Sequence, residues 1–295
     1  MNHPRPSWKN VRERGAVTGM VLTVWVYRTV GRRLAEVVVW FVVTYFYFTN
    51  RQARKASRDF LDRVKSPVPS HTHFMEFALN ALDRFDFWVG ANRRYTFTFH
   101  GREHLDRLLA TKSGCLFFGA HMGNHDALRA LAVEGAVKVH FLTDLQSSRL
   151  YANVLKRYCP RAETGAVEYD NQHPQNILSI KTAVDRGEIV GLLADRVVAE
   201  SRRGAQRTVE MPFLGGKAVF SKNPFIMAAL LGCPVFFFAG IRTSRWNYEL
   251  FIDKMTGGDG DVNHLMSLYV QRLEKFCSQF PLHWFNFYDF WRPGI

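Results

Sequence analysis

Cysteine is scarce in this chain, and the placement of the few narrows the chemistry at once. The four in 295 residues, Cys115, Cys159, Cys233 and Cys277, stand far apart with no C-x-x-C pair. Neither a zinc ribbon nor a disulfide scaffold fits that spacing, and a reducing, cytosolic exposure is the simplest setting. No long Pro/Gly/Ser linker and no internal repeat divides the chain. A G-x-S-x-G elbow, a Walker A pattern and G-x-G-x-x-G are all missing, and Gly215-Gly216-Lys217 lacks the spacing of a phosphate loop. Serine-elbow hydrolysis and the common nucleotide folds are thereby set aside.

Acidic residues are nearly missing from one end. Residues 1–58 hold eleven Lys/Arg against Glu13 and Glu36, a net +9 of the chain's +13, so the remaining 237 residues carry only +4. That distribution argues against nucleic acid as a partner, because the excess sits on the most apolar part of the chain rather than on the globular part. Gly15 to Val30 and Leu34 to Phe48 are apolar, separated by Arg32 and Arg33. Neither is a clean membrane span. The second would be roughly 22 Å long as a helix, short of the ~30 Å hydrocarbon core. Its aromatics and basic flanks suit an interfacial, partly inserted helix or helical hairpin against anionic lipid. RQARKASRDFLDRV continues it as a basic amphipathic helix, which argues against a cleaved leader. Residues 1–58 are read as this membrane-anchoring segment and 59–295 as the catalytic domain.

With 47% apolar residues, the chain can bury one large core. From Tyr95 onward, strands and helices alternate. YTFTFH, CLFFGA, VKVHFLT, EIVGLLAD, CPVFFFAGI and YELFIDKM read as strands. EHLDRLLAT, SSRLYANVLKRY, QNILSIKTAVDRG, FSKNPFIMAALLG and a segment from Val262 to Phe280 read as helices. That order predicts an α/β fold with a mixed, largely parallel sheet covered by helices on both faces.

In such sheets chemistry collects at the carboxyl ends of strands. CLFFGA runs into His121-Met122-Gly123-Asn124-His125-Asp126, with Asn124 a candidate helix N-cap, and EIVGLLAD runs into Asp195-Arg196. The two clusters are placed to share one crevice. The H-x4-D spacing lets Asp126 point back to His121, fix its tautomer through Nδ1 and leave Nε2 as a base for a substrate hydroxyl. Gly123 allows close approach of the backbone to the reacting group. Asp195 and Arg196 form a supporting ion pair, or Arg196 holds an acceptor phosphate. Phe213, Gly215 and Lys217 form either a plain turn or an oxyanion site at the crevice. Arg202, Arg203 and Arg207 meet an acidic partner or line a solvated loop. The aromatics from Trp284 to Trp291 line an acyl channel, sit at the bilayer interface or pack in the core. Met122 stands where H-E-x-x-H needs glutamate, so no metal is expected.

These residues resemble the glycerolipid acyltransferase superfamily, whose first motif is H-x4-D or H-x4-E, and within it the lipid A late-acyltransferase branch. The likeness extends through GEIVGLLADR and through MPFLGGKAVFSKNPFIMAALLGCPVFFF, covering roughly residues 20–295. Two positions depart from the branch: Asp126 stands for its usual glutamate and His125 for its tryptophan. The ending PLHWFNFYDFW looks like members associated with aryl polyene pathways. The resemblance implies a glycerolipid acyltransferase-like fold and transfer of an acyl chain from acyl carrier protein to a hydroxyl of a lipid or saccharolipid. It also implies His121 as base, Asp126 as its orienting carboxylate, no cofactor, and a place on the cytoplasmic face of the inner membrane. Two rivals use the same residues: a metal-dependent hydrolase built on His121, His125 and Asp126, and a non-enzymatic basic adaptor for membrane or nucleic acid.

Overall fold

The computed structural model describes residues 25–88, 91–128, 138–143, 166–168, 174–197, 207–255 and 261–291. Helices α1 (Arg32–Thr49), α2 (Arg51–Arg63) and α3 (Ser70–Trp88) precede the sheet. The boundary expected at 58/59 falls inside α2. There follow β1 (Thr96–His100), α4 (Arg102–Thr111), β2 (Cys115–Gly119), β3 (Val139–Thr143), β4 (Ala166–Glu168), α5 (Pro174–Asp185) and β5 (Ile189–Leu193). The chain continues through β6 (Thr208–Phe213), β7 (Gly216–Ser221), α6 (Asn223–Leu231), β8 (Val235–Arg242), β9 (Asn247–Lys254) and α7 (Val262–Gln279).

Seven strands form one sheet in the order β1-β9-β8-β2-β5-β3-β4, and β8 with β9 is the antiparallel pairing in it. The largely parallel, mixed sheet expected from the alternation is what folds. β2 is buried on both faces, as a continuous apolar run at the centre of a parallel sheet should be. Leu116 and Phe118 join Phe225 of α6 and Tyr269 and Leu273 of α7 on one face. Cys115 and Phe117 join Leu105 and Leu108 of α4 and Leu128 on the other.

The β6–β7 hairpin departs from the expected loop and helix. Pro212 removes a ladder donor and reads as a strand breaker, but a two-stranded hairpin tolerates it opposite Lys217. Leu214 and Gly215 turn the hairpin with φ of 48° and 70°.

The N-terminal helices are fastened by buried charge. Arg32, the first residue of α1, bonds Glu36 of the same helix at 2.9 Å and reaches Asp83 and Asp86 of α3 and the Tyr95 hydroxyl. Asp83 also accepts from Tyr248 of β9 at 2.7 Å, and Arg242 of β8 pairs with Glu76 of α3 at 3.1 Å. Ala35, Val39 and Val43 pack the same side of α1 against α3, at helical spacing. The opposite side of α1 exposes Leu34, Val37, Phe41, Tyr45 and Phe48. Among the described residues, no helix is long and apolar enough to cross a membrane. Cys115, Cys233 and Cys277 are buried free thiols, as a reducing setting allows, whereas Cys159 lies outside the described residues.

Candidate active site

Strands β2 and β5 are parallel neighbours in register, Cys115 opposite Ile189 and Gly119 opposite Leu193. Two residues past each strand end stand His121 and Asp195, so register alone brings them face to face. The His121 Nδ1 lies 2.8 Å from Asp195 Oδ1, and the His121 backbone N–H donates to Oδ2 at 3.0 Å. The two strand ends therefore bring their polar residues together, but the carboxylate on the imidazole is Asp195, not Asp126.

Asp126 has a different office. It sits in a 3₁₀ turn, His125–Leu128, that begins where a helix start was expected, with its backbone N–H capped by Asn124 Oδ1 at 3.1 Å. Its carboxylate takes the Nε of Arg84 from α3 at 2.7 Å, and the same guanidinium lies 3.2 Å from His125 Nε2. His121 and Asp126 are five positions apart, beyond the pairs three or four apart that meet along a helix, so the spacing would join them only through a tight turn at a helix start. Here the chain between them is a loop stitched to β8, so the spacing does not carry that meaning.

That stitching explains Gly123 and Asn124. Gly123 has φ of 57°, and a Cβ there would stand 2.0 Å from the Gly240 carbonyl oxygen of β8. Its N–H donates to His283 O and the Asn124 N–H to Gly240 O, both at 2.7 Å. Asn124 is fully buried, its amide toward Asn80 and Tyr248. Both residues shape the loop from beneath. The close approach that Gly123 permits is to β8, not to a reacting group.

Arg196 makes no ion pair with Asp195 among the described residues. Its guanidinium donates to the Phe285 carbonyl at 2.9 Å and lies over the Tyr288 ring. The β6–β7 turn is also engaged elsewhere. Leu214 N–H donates to Glu274 of α7 at 2.7 Å, Lys217 pairs with Glu210 at 3.0 Å on the exposed hairpin, and Phe213 is buried against Trp284 and Phe220. Among the described residues no hydrogen bond, ion pair or ring contact joins Gly215 or Lys217 to His121 or Asp195. Arg202 and Arg203 lie outside the described residues, as does the helix read at SSRLYANVLKRY.

Two contributors escaped the sequence reading. Trp284 Nε1 donates to Asp195 Oδ2 at 3.1 Å from a fully buried ring. Arg84 brings positive charge to the histidine loop. Trp284 was visible only as one of several closing aromatics, and nothing in the sequence singles out Arg84.

The electrostatics suit a base. Desolvation, then the charge of Arg196, lower the His121 pKa below its usual value against the opposing pull of Asp195. That direction favours the neutral ring, the form a base needs. Burial alone would raise Asp195, but His121 and Arg196 outweigh it and bring the carboxyl down to about 2. With Asp195 on Nδ1, the tautomer leaves Nε2 as a lone-pair acceptor on a side chain 32% exposed. A small apolar pocket lies on the sheet, lined by Phe117, Phe141, Gly191, Leu193, Phe238 and His125. Among the described residues, no three His, Cys, Asp or Glu side chains converge as metal ligands.

A family model described as bacterial lipid A biosynthesis acyltransferase matches residues 72–293. The chain belongs to that family. It is an acyltransferase, and its family acts on lipid acceptors, which sets aside the non-enzymatic adaptor. No curated protein matches the chain.

Proposed function

We propose that this acyltransferase moves a fatty or polyene acyl chain from an acyl carrier protein thioester to a hydroxyl of a lipid or saccharolipid, with His121 as general base. Asp195 takes the orienting role that sequence spacing assigned to Asp126. The observation that carries this is the His121–Asp195 contact at 2.8 Å through Nδ1, on a side chain 32% exposed. Nε2 accepts the hydroxyl proton as the oxygen attacks the thioester carbonyl. The carbon–sulfur bond then breaks, and the leaving carrier thiolate takes the proton back from the imidazolium. The aromatic ending supports a branch near the aryl-polyene-associated members.

The same proposal places the enzyme on the cytoplasmic face of a bacterial inner membrane, held by the N-terminal segment. What supports this is α1, which exposes Leu34, Val37, Phe41, Tyr45 and Phe48, with Arg33 of the same helix and Arg51, Lys55 and Arg58 of α2 also exposed. Such a helix lies in the interface plane.

The experiment is transfer of labelled acyl groups from acyl carrier protein to a total lipid extract of the source bacterium, with products resolved by mass spectrometry. His121→Ala should lower turnover by ~10²- to 10⁴-fold. Asp195→Asn should follow it closely, and Asp126→Asn should fall clearly less. Near-normal turnover in folded His121→Ala would sink the mechanism, and a larger loss in Asp126→Asn than in Asp195→Asn would return the orienting role to Asp126.

A further inference from the structure

The segment after α7 closes over the histidine loop backbone to backbone. Gly123 N–H donates to His283 O and Phe285 N–H to His121 O, both at 2.7 Å, with Met122 and Trp284 bridged between them. From the middle of this short ladder the Trp284 indole reaches Asp195 Oδ2, while Oδ1 faces His121. The indole is enclosed by Phe60 of α2, Phe213 of β6, Phe290 and Trp291.

Its backbone is also held. His73 of α3, fully buried, places Nε2 3.0 Å from the Trp284 carbonyl oxygen and Nδ1 2.9 Å from Ser57 Oγ of α2. A carbonyl only accepts, so Nε2 carries the proton, and Nδ1 must accept from the Ser57 hydroxyl. The donors run in one direction, Ser57 to His73 to Trp284, and the Trp284 indole then donates onward to Asp195.

We infer that Trp284 is a positioning residue for the His121–Asp195 pair: its indole N–H holds the carboxylate so that Oδ1 is reserved for the imidazole, and the Ser57–His73 relay holds Trp284. The inference rests on the reading of His121 as the base. An indole hydrogen bond draws charge from Asp195, so losing it strengthens the carboxylate's hold on a protonated His121 and raises the pH at which the ring becomes a base. The other groups acting on His121 are Arg196 beyond β5 and Arg84 of α3, the latter paired with Asp126. Tyr269 and Cys277 of α7 and Tyr288 act on Asp195. None of these is altered by a change confined to the indole nitrogen.

The test replaces Trp284 alone by 3-benzothienylalanine, which keeps the shape and exchanges N–H for sulfur, with Trp284→Phe as a second variant and Phe290→Leu as a control that loosens the same cage. Carbon-13 histidine NMR, with His121 assigned by its loss in His121→Ala, follows the ring's titration in the full chain. Acyl transfer is measured against pH beside it. The His121 midpoint should rise by ~0.5 to 1 pH unit in the sulfur variant, and kcat should fall ~10-fold or more with donor KM unchanged, as for a misplaced catalytic group. Phe290→Leu should lower Tm and leave the midpoint in place. A folded sulfur variant with an unmoved midpoint overturns the inference. A moved midpoint with transfer indifferent to His121 upholds Trp284's hold on the pair while removing the pair's catalytic role, so the two failures are distinct.

Discussion

Two clusters of buried charge lie within this molecule, and they are built on opposite plans. Around Arg32 the carboxylates Asp83, Asp86 and Glu36 and the hydroxyls of Tyr95 and Tyr248 engage one another across α1, α3 and β9. Around His121 the groups are also paired, but among the described residues one ring nitrogen has no partner, on a side chain 32% exposed. The first arrangement spends its hydrogen-bonding capacity on holding a helix to the sheet. The second withholds one acceptor from the fold, and that acceptor is where chemistry can occur. Buried charge alone does not mark a site; an unspent valence at a strand end does.

The contrast can be broken at its structural half. Arg32→Met takes from Asp83 and Asp86 their shared cation, leaving Asp83 with Arg242 at 3.1 Å and Asp86 with the more distant Arg94 at 3.9 Å, and breaking a buried pair from one side costs up to ~3–5 kcal/mol. Urea unfolding should show that loss, while the folded fraction retains its turnover. If turnover falls with stability unchanged, the cluster belongs to the site after all.

The Ser57–His73 pair sharpens the contrast, since it joins the two plans. Desolvation lowers His73 to about 4, against an opposing contribution from the Trp284 carbonyl. Because this lies below the ordinary ~6.5, the unfolded chain takes up the proton first as pH falls. The stability His73 contributes is therefore full above ~6.5 and drains toward pH 4, by about 3 kcal/mol in all. His73→Gln should flatten that part of the stability profile, measured by denaturant midpoints from pH 4 to 7. A slope unchanged in the variant would assign it to another group, with His283, also buried and lowered to about 3, the first to try.

The smallest effect separates the two sides of α1. Each apolar side chain taken into a bilayer contributes ~1.5–3 kcal/mol, so Leu34→Ser with Phe41→Ser should sharply reduce flotation with vesicles containing phosphatidylglycerol while leaving Tm nearly unmoved. The inward Arg32 change should do the reverse. Flotation equal to wild type would remove the outward face from the membrane proposal.

Much of this was legible in the sequence, and the reasons differ by element. β2 and β5 were readable because a central parallel strand is apolar throughout, and their polar ends announced where the two clusters meet. The partner of His121 was misassigned because spacing along the chain counts residues, whereas Asp195 arrives through strand register across 74 positions, which no local count reports. The β6–β7 hairpin was obscured by Pro212 and a glycine pair that imitate a loop. Phe213, Gly215 and Lys217 were read as a plain turn or an oxyanion site, and the hairpin shows the turn, held by Glu274 and Arg63. Trp284 was hidden among neighbours of its own kind.

The tie between Trp284 and Asp195, with the ladder from residues 283–285 to the histidine loop, also sets when the enzyme becomes competent. Contacts between positions so far apart in sequence close late, after loops of great length have been brought together. A half-collapsed chain can hold its central strands in register and still lack the last clasp on the imidazole.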